Sequence, residues 1–166
     1  MALMEIVRSA TAADAQGILD CLAMAFAPYR TRYTPSAYTD TVLGPATIHQ
    51  RLAAMTVLVA ATDAGEIVGT IGCQAMTGGE GHLRGMAVCP RWQGTGTAQR
   101  LLEAALDELR RHGCRRVTLD TTEPLRRAIR FYERNEFRPS GSVGDFFGMP
   151  LAEYVKEIGQ IATSSA

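Results

Sequence analysis

Apolar and polar residues change their spacing several times along the chain, and each change predicts an element. Glu5-Ile6-Val7-Arg8 reads as a short opening strand. Ile18, Leu19, Leu22 and Phe26 then share one face at helical spacing, behind Thr11 and Asp14, which resemble a capping pair. Pro28 and the segment Tyr29 to Pro35 end that helix, and a second short helix is expected near Thr47 to Met55. Thr56 to Ala61 and Glu66 to Met76 read as two strands of a hairpin around Asp63-Ala64-Gly65. Gly78-Gly79 makes another turn before a strand from Glu80 to Val88. Leu101, Leu102, Ala105, Leu106 and Leu109 return to the one-face spacing of an amphipathic helix, which ends near His112-Gly113. A strand from Arg115 to Thr121, a helix opened by Thr122 and Pro124, and a final strand from Leu151 to Ile158 complete the pattern. Residues 1–158 therefore read as a single domain and 159–166 as a flexible tail. The layout is α/β with a mostly antiparallel sheet. The strand–helix–strand unit from about 80 to 121 supplies one parallel pair by a right-handed crossover.

Composition narrows the function classes. A chain of 166 residues suits one domain with a real core. Seventeen basic residues balance seventeen acidic ones, so no nucleic-acid or anionic-membrane partner is expected. Four cysteines, Cys21, Cys73, Cys89 and Cys114, form no C-x-x-C pair and, with three histidines, no zinc spacing, so no metal is expected. No leader pattern and no bilayer-length apolar run is seen, which predicts a cytoplasmic protein with reduced thiols. No histidine stands at a telling position relative to Cys89, which argues against a cysteine nucleophile.

Chemistry enters at Gln93-Gly94-Thr95-Gly96-Thr97-Ala98-Gln99, where small residues separate the strand ending in Met86-Ala87-Val88 from the long amphipathic helix. The first turn of a helix has unpaired N–H groups and a partial positive charge, and small residues let a phosphate approach them. A P-loop is excluded because no Gly-Lys-Ser/Thr triplet occurs. A dinucleotide fingerprint needs a third glycine where Gln99 stands and a second βαβ half, although Asp120 or Glu123 could pose as its acidic partner.

What remains is Gln/Arg-x-x-Gly-x-Gly/Ala, here Gln93, Gly96 and Ala98, with Val88 and Pro90 upstream and Leu101-Leu102 downstream. This resembles the acyl-CoA pyrophosphate loop of the GCN5-related N-acetyltransferase (GNAT) superfamily. Ala128-Ile129-Arg130-Phe131-Tyr132-Glu133-Arg134-Asn135-Glu136-Phe137 is similar to the family's Ala-x-x-Phe-Tyr-x-x-x-Gly-Phe segment. The resemblance covers roughly residues 55 to 138. It implies a mixed sheet flanked by helices whose splayed parallel strands hold acyl-CoA. It also implies an N-acetyltransferase that uses acetyl-CoA as co-substrate, with direct attack by a primary amine. The acceptor would be a small molecule or a protein N-terminus, and the protein a monomer or homodimer. Two positions depart from the pattern. Leu125 stands where the family often has an Asn that contacts the CoA arm. Glu136 replaces the helix-ending Gly, so the left-handed residue is expected at Asn135.

The resemblance assigns donor binding to Met86, Ala87, Val88 and Gln93 through Gln99, with backbone N–H groups near Ala87 and Val88 meeting the thioester oxygen. Tyr132 is the candidate general acid, although Leu125, Ala128, Ile129 and Tyr132 also form a stripe that would simply be core. The family's base position falls on His82. Histidine has an ordinary pKa of about 6.5, which suits the task. Glu80, two residues earlier on the same face, could serve through water. Both could equally be solvated residues at a strand start. Acceptor contacts are expected from Tyr29, Arg30, Arg32 and Tyr33 and from a last hairpin around Asp145 to Met149. The arginines suit a carboxylate; a polar loop with two anchoring tyrosines is the plainer alternative. Phe146-Phe147 could be core or a dimer contact. The alternative function is a non-catalytic acyl-CoA-binding sensory or regulatory module on the same fold.

Overall fold

The computed structural model describes residues 4–159. The expected tail beyond Gly159 lies outside the described residues. Seven strands form one sheet: β1 (Glu5–Ser9), β2 (Thr56–Thr62), β3 (Ile67–Ala75), β4 (Glu80–Val88), β5 (Arg116–Thr121), β6 (Arg138–Phe146) and β7 (Met149–Glu157). Their order is β1-β2-β3-β4-β5-β7-β6. Every neighbouring pair is antiparallel except β4–β5, which is parallel. Five helices accompany the sheet: α1 (Ala15–Phe26), α2 (Pro35–Val42), α3 (Pro45–Ala54), α4 (Thr97–Arg111) and α5 (Arg126–Arg134).

Helices cover both faces. Gly69 and Gly72 stand an odd number of positions apart on β3 and so face opposite ways. A Cβ on Gly69 would lie 2.8 Å from Leu101 of α4, and one on Gly72 would lie 2.6 Å from Met55, just past α3. The absent side chain at Gly69 lets α4 lie flat on the sheet and sets the depth of the turn that precedes it. Ile18, Leu22, Ile48, Val59, Ile71, Leu101, Leu102, Leu109, Val117 and Phe137 fill the two layers and are almost wholly buried. Removing such a side chain to Ala costs about 2–5 kcal/mol.

The capping pair forms: the Thr11 amide donates to the Asp14 carboxylate at 2.8 Å, and Arg8 clasps that carboxylate at 2.8 and 2.9 Å. Three elements differ from expectation. Pro35 ends one segment but opens α2, with Thr34 as its cap accepting from the Ala37 amide. Only Ala37 of α2 is buried, so the helix carries little apolar stripe to read. Strand β6 is a sheet edge whose residues from Arg138 to Asp145 are all exposed, so it shows no alternation. The helix expected at Thr122 starts later, at Arg126, after a turn closed by the Leu125 amide on the Thr122 carbonyl.

Candidate active site

One extra residue in β4 shapes the site. Thr70 faces Ala87, but Gly72 faces Arg84, so β4 carries one residue more than β3 across this stretch. Gly85 takes φ 67 at the bulge. A Cβ on Gly81 would meet Leu109 of α4, whereas one on Gly85 would meet Arg51 of α3. Residues four apart on a regular strand share a face; the bulge puts these two on opposite faces. Pairing of β4 with β5 stops at Leu83–Leu119. Beyond that point β5 stays with β7 and β4 stays with β3, so the two parallel strands part. The Cys89 amide donates to the Val68 carbonyl on β3 at 2.8 Å. By alternation the Ala87 amide turns toward β3 and the Val88 amide toward the gap. The Val88 carbonyl accepts from the Gln93 side chain at 3.1 Å.

A cleft of about 890 Å³ occupies the opening, within the roughly 300–1,000 Å³ of small-molecule sites. Gln93, Gly94, Gly96, Ala98 and Gln99 border one side of it, together with Arg127, Arg134 and Asn135. Gly94 and Gly96 take φ 80 and 90, conformations that exclude ordinary side chains. Among the described residues, the amides of Gly94, Thr95, Gly96, Thr97, Ala98 and Gln99 have no hydrogen-bond acceptor; the ladder of α4 begins with the Arg100 amide on the Gly96 carbonyl at 3.1 Å. Six consecutive open donors at a helix start make an anion cradle. The threonine side chains point away from it. Thr95 donates to the Trp92 carbonyl, and the buried Thr97 donates to the Glu5 carboxylate at 3.0 Å. The Glu5 side chain is itself buried and paired with Arg100, which ties β1 to the turn.

Tyr132 is held from two directions. The Phe137 amide donates to the Tyr132 carbonyl, and the Glu136 amide to the Glu133 carbonyl, both at 3.0 Å. This is the paired bond of a Schellman helix end. The Phe137 ring packs edge-on to Tyr132 with centroids 5.8 Å apart. The left-handed residue is Glu136, at φ 69, and not Asn135 as expected. Asn135 is occupied elsewhere: its side chain donates to the Phe131 carbonyl at 3.0 Å and accepts from Gln99 at 2.8 Å. The Tyr132 ring is buried, yet its hydroxyl lies in the cleft wall and donates only to the Met86 sulfur, at 3.4 Å. Burial raises the phenol pKa, so the proton stays on oxygen and awaits a better acceptor than a thioether.

His82 lies in the cleft wall beside the start of the opening. Its Nδ1 is 2.9 Å from the Thr118 hydroxyl, and its Nε2 is 3.7 Å from the Asp120 carboxylate. Burial raises the Asp120 pKa, with the His82 charge pulling it back. Glu80 stands outside the cleft lining. It sits where β4 and β5 are still joined, opposite Arg116, and pairs with that residue at 2.9 Å. Tyr29 and Tyr33 line the cleft, the Tyr33 hydroxyl sharing a 2.6 Å bond with Thr122. Arg30 is not in the lining; its guanidinium lies 5.4 Å from the centre of the Tyr38 ring. Arg32 pairs with Glu123 at 3.8 Å, Phe146 lines the cleft, and Phe147 is exposed.

The model of the Acetyltransferase (GNAT) family matches residues 20–137. The chain belongs to the GNAT family. Comparison with curated proteins gave no match. Solved structures share the GNAT fold at low identity. PaiA N-acetyltransferase from Thermoplasma acidophilum, solved in complex with coenzyme A, is 14% identical with a TM-score of 0.78, covering 94% of this chain and 100% of that one. A GNAT-family acetyltransferase from Staphylococcus aureus Mu50 is 16% identical with a TM-score of 0.75, covering 93% and 99%. The ribosomal-protein-S18-alanine N-acetyltransferase from Escherichia coli is 16% identical with a TM-score of 0.69, covering 98% and 99%. No helix among the described residues is long and apolar enough to cross a membrane.

Several residues of this GNAT cleft escape a reading of the sequence. Among the described residues, the Thr121 hydroxyl is buried in the cleft wall without a partner. Its position at the end of a strand beside a parallel neighbour is the one signal that could have found it. Asp120 follows only once Thr118 is known to face His82. Arg51 and Arg127 carry no local signature at all.

Proposed function

We propose that this GNAT protein transfers an acetyl group from acetyl-CoA to a primary amine by direct attack in a ternary complex. The observation that carries the reading is the row of six open amides from Gly94 to Gln99 beside an unpaired stretch of β4. The row suits a pyrophosphate, and Arg127, 3.2 Å from the Gln93 side chain, adds a cation beside it. The open edge at Met86 to Val88 and the partnerless Thr121 hydroxyl suit the amides of an extended pantetheine arm.

In this reading the Val88 amide donates to the thioester oxygen as the amine nitrogen bonds to the carbonyl carbon. His82, oriented by Thr118 and backed by Asp120, takes the proton that the nitrogen sheds. The C–S bond then breaks, and Tyr132 gives its proton to the departing sulfur. The raised phenol pKa keeps that proton in place until the sulfur carries charge. Tyr29, Tyr33 and Phe146 flank the acceptor. The proposed step leaves out Glu80, which stands outside the cleft lining and pairs with Arg116.

The test is release of free CoA thiol from acetyl-CoA with a panel of primary amines, small and peptidic, at varied concentrations of both substrates. Intersecting double-reciprocal lines are expected; parallel lines would mean a covalent enzyme intermediate. Tight acetyl-CoA binding with no amine-dependent thiol release would replace the enzyme with a sensory module.

A further inference from the structure

Arg51 is a cation that the mechanism above does not use. It lies on α3, lines the cleft, and presses its guanidinium against the bulge, where a Cβ on Gly85 would stand 2.5 Å from Nη1. The groups facing it are Asp40 and Thr41 from α2 and Arg84 and Gly85 from β4. Asp40, the carboxylate whose charge acts on Arg51, is already bonded to Arg84 at 3.2 Å. Among the described residues no side-chain hydrogen bond or ion pair engages Arg51 itself. Two guanidinium groups therefore stand against one carboxylate. Burial, and then the charge of Arg84, lower the Arg51 pKa to about 10, so it remains a cation at neutral pH.

Its place along β4 excludes a role with the donor phosphates. Gly85 precedes Val88, and the glycine turn follows Val88, so Arg51 and the open amides lie on opposite sides of the reacting carbonyl. Three residues of strand span at most about 10 Å. An oxyanion on Arg51 thus lies within a few bonds of an amine at the thioester. A part-buried, planar fork without a partner is suited to a carboxylate or phosphonate.

We propose that Arg51 selects the acceptor, and that the acceptor class is a small primary amine carrying an oxyanion a few bonds from its nitrogen. This rests on the acyltransferase reading of the same cleft. It makes Arg51 a residue that touches substrate at a point remote from the bond that forms.

The experiment pairs anionic amines with neutral isosteres: 4-aminobutyrate and 3-aminopropylphosphonate against n-butylamine, and leucine against isoamylamine. Thiol release gives kcat/KM for the parent, Arg51→Gln and Arg51→Lys, and calorimetry in the presence of CoA gives acceptor binding. The parent should prefer one or more anionic members over the matched neutral amine by roughly 10- to 100-fold, the usual worth of a charged hydrogen bond. Arg51→Gln should erase that preference through KM, leave neutral amines and CoA affinity unchanged, and be partly rescued by Arg51→Lys. Unchanged CoA binding also reports that each variant is folded. Anionic amines that bind through Arg51 without thiol release would keep this site and overturn the acyltransferase reading. Turnover that ignores both the anion and the Arg51 change would overturn the site and keep the enzyme. No binding and no turnover of any anionic member would overturn the proposal. Arg51-dependent turnover confined to peptides with an acidic second residue would also overturn the small-molecule class and move the acceptor to a protein N-terminus.

Discussion

The two sides of the cleft are made of different materials. The side of the glycine turn is built from backbone: six open amides, two glycines of positive φ, and the free edge of β4. The side of the bulge is built from side chains: His82, Asp120, Arg51, Tyr29 and Tyr33, drawn from four separate stretches of the chain. A backbone cradle tolerates sequence change as long as residues stay small. A side-chain pocket changes its ligand with each substitution. The first suits the proposed acetyl-CoA donor, the second the proposed acceptor.

The contrast can be broken or sharpened at five points. Tyr132→Phe keeps the ring and should lower kcat by roughly 10²- to 10⁴-fold with little change in CoA affinity; stopped-assay turnover beside CoA calorimetry checks both. An unaltered kcat would return Tyr132 to the core. Gly96→Asp places a carboxylate among the amides, in strained backbone 2.8 Å from Arg100, and should weaken CoA by about 100-fold or more, equivalent to about 2.7 kcal/mol of binding. Retained CoA affinity in a folded variant would mean that the turn holds something else.

His82→Gln should cost about 10²-fold in kcat, while Glu80→Gln should leave the rate within two-fold, on the order of an exposed pair's worth. Initial rates of thiol release at saturating acetyl-CoA compare the two variants. The reverse ranking of the two variants would put the base outside the cleft.

Outside both halves, Asp14 serves as a stability control. Its hydrogen bonds from Arg8, foremost, hold its carboxyl down to about 2, against an ordinary value of about 3.9. A depressed carboxyl adds stability above the unfolded pKa and loses it as pH falls toward the folded one. Asp14→Asn should thus cost about 1 kcal/mol at pH 7, the upper end for a partly exposed ion pair, shrinking between about pH 4 and pH 2, as read by urea unfolding. The smallest effect is a gain. Glu136→Gly relieves a left-handed residue and should stabilise by about 0.5–1 kcal/mol without touching kcat, which would show that the strain is not used by Tyr132.

The same division explains what could be read in advance. Gln93 to Gln99 is legible because small residues before an amphipathic helix are themselves the site. Tyr132 is legible only through its flanking motif, since its helical stripe alone describes core. Arg51, Asp120 and Thr121 depend on register, on where β4 and β5 part, and on one inserted residue, none of which leaves a local pattern. Strand β6 and helix α2 were hidden for a related reason: nearly all of their side chains face solvent or bury only one residue.

The inserted residue at Gly85 works like a phase shift in a signal of period two. Upstream of it, odd-numbered residues of β4 meet α4; at Gly85 the parity is reversed. Deleting one residue there would barely shorten the strand. It would bring β4 back into step with β3, leaving Ala87 opposite Thr70 and Val88 opposite Gly69 on their present faces, and would remove only the doubled position that Gly85 presents to Arg51.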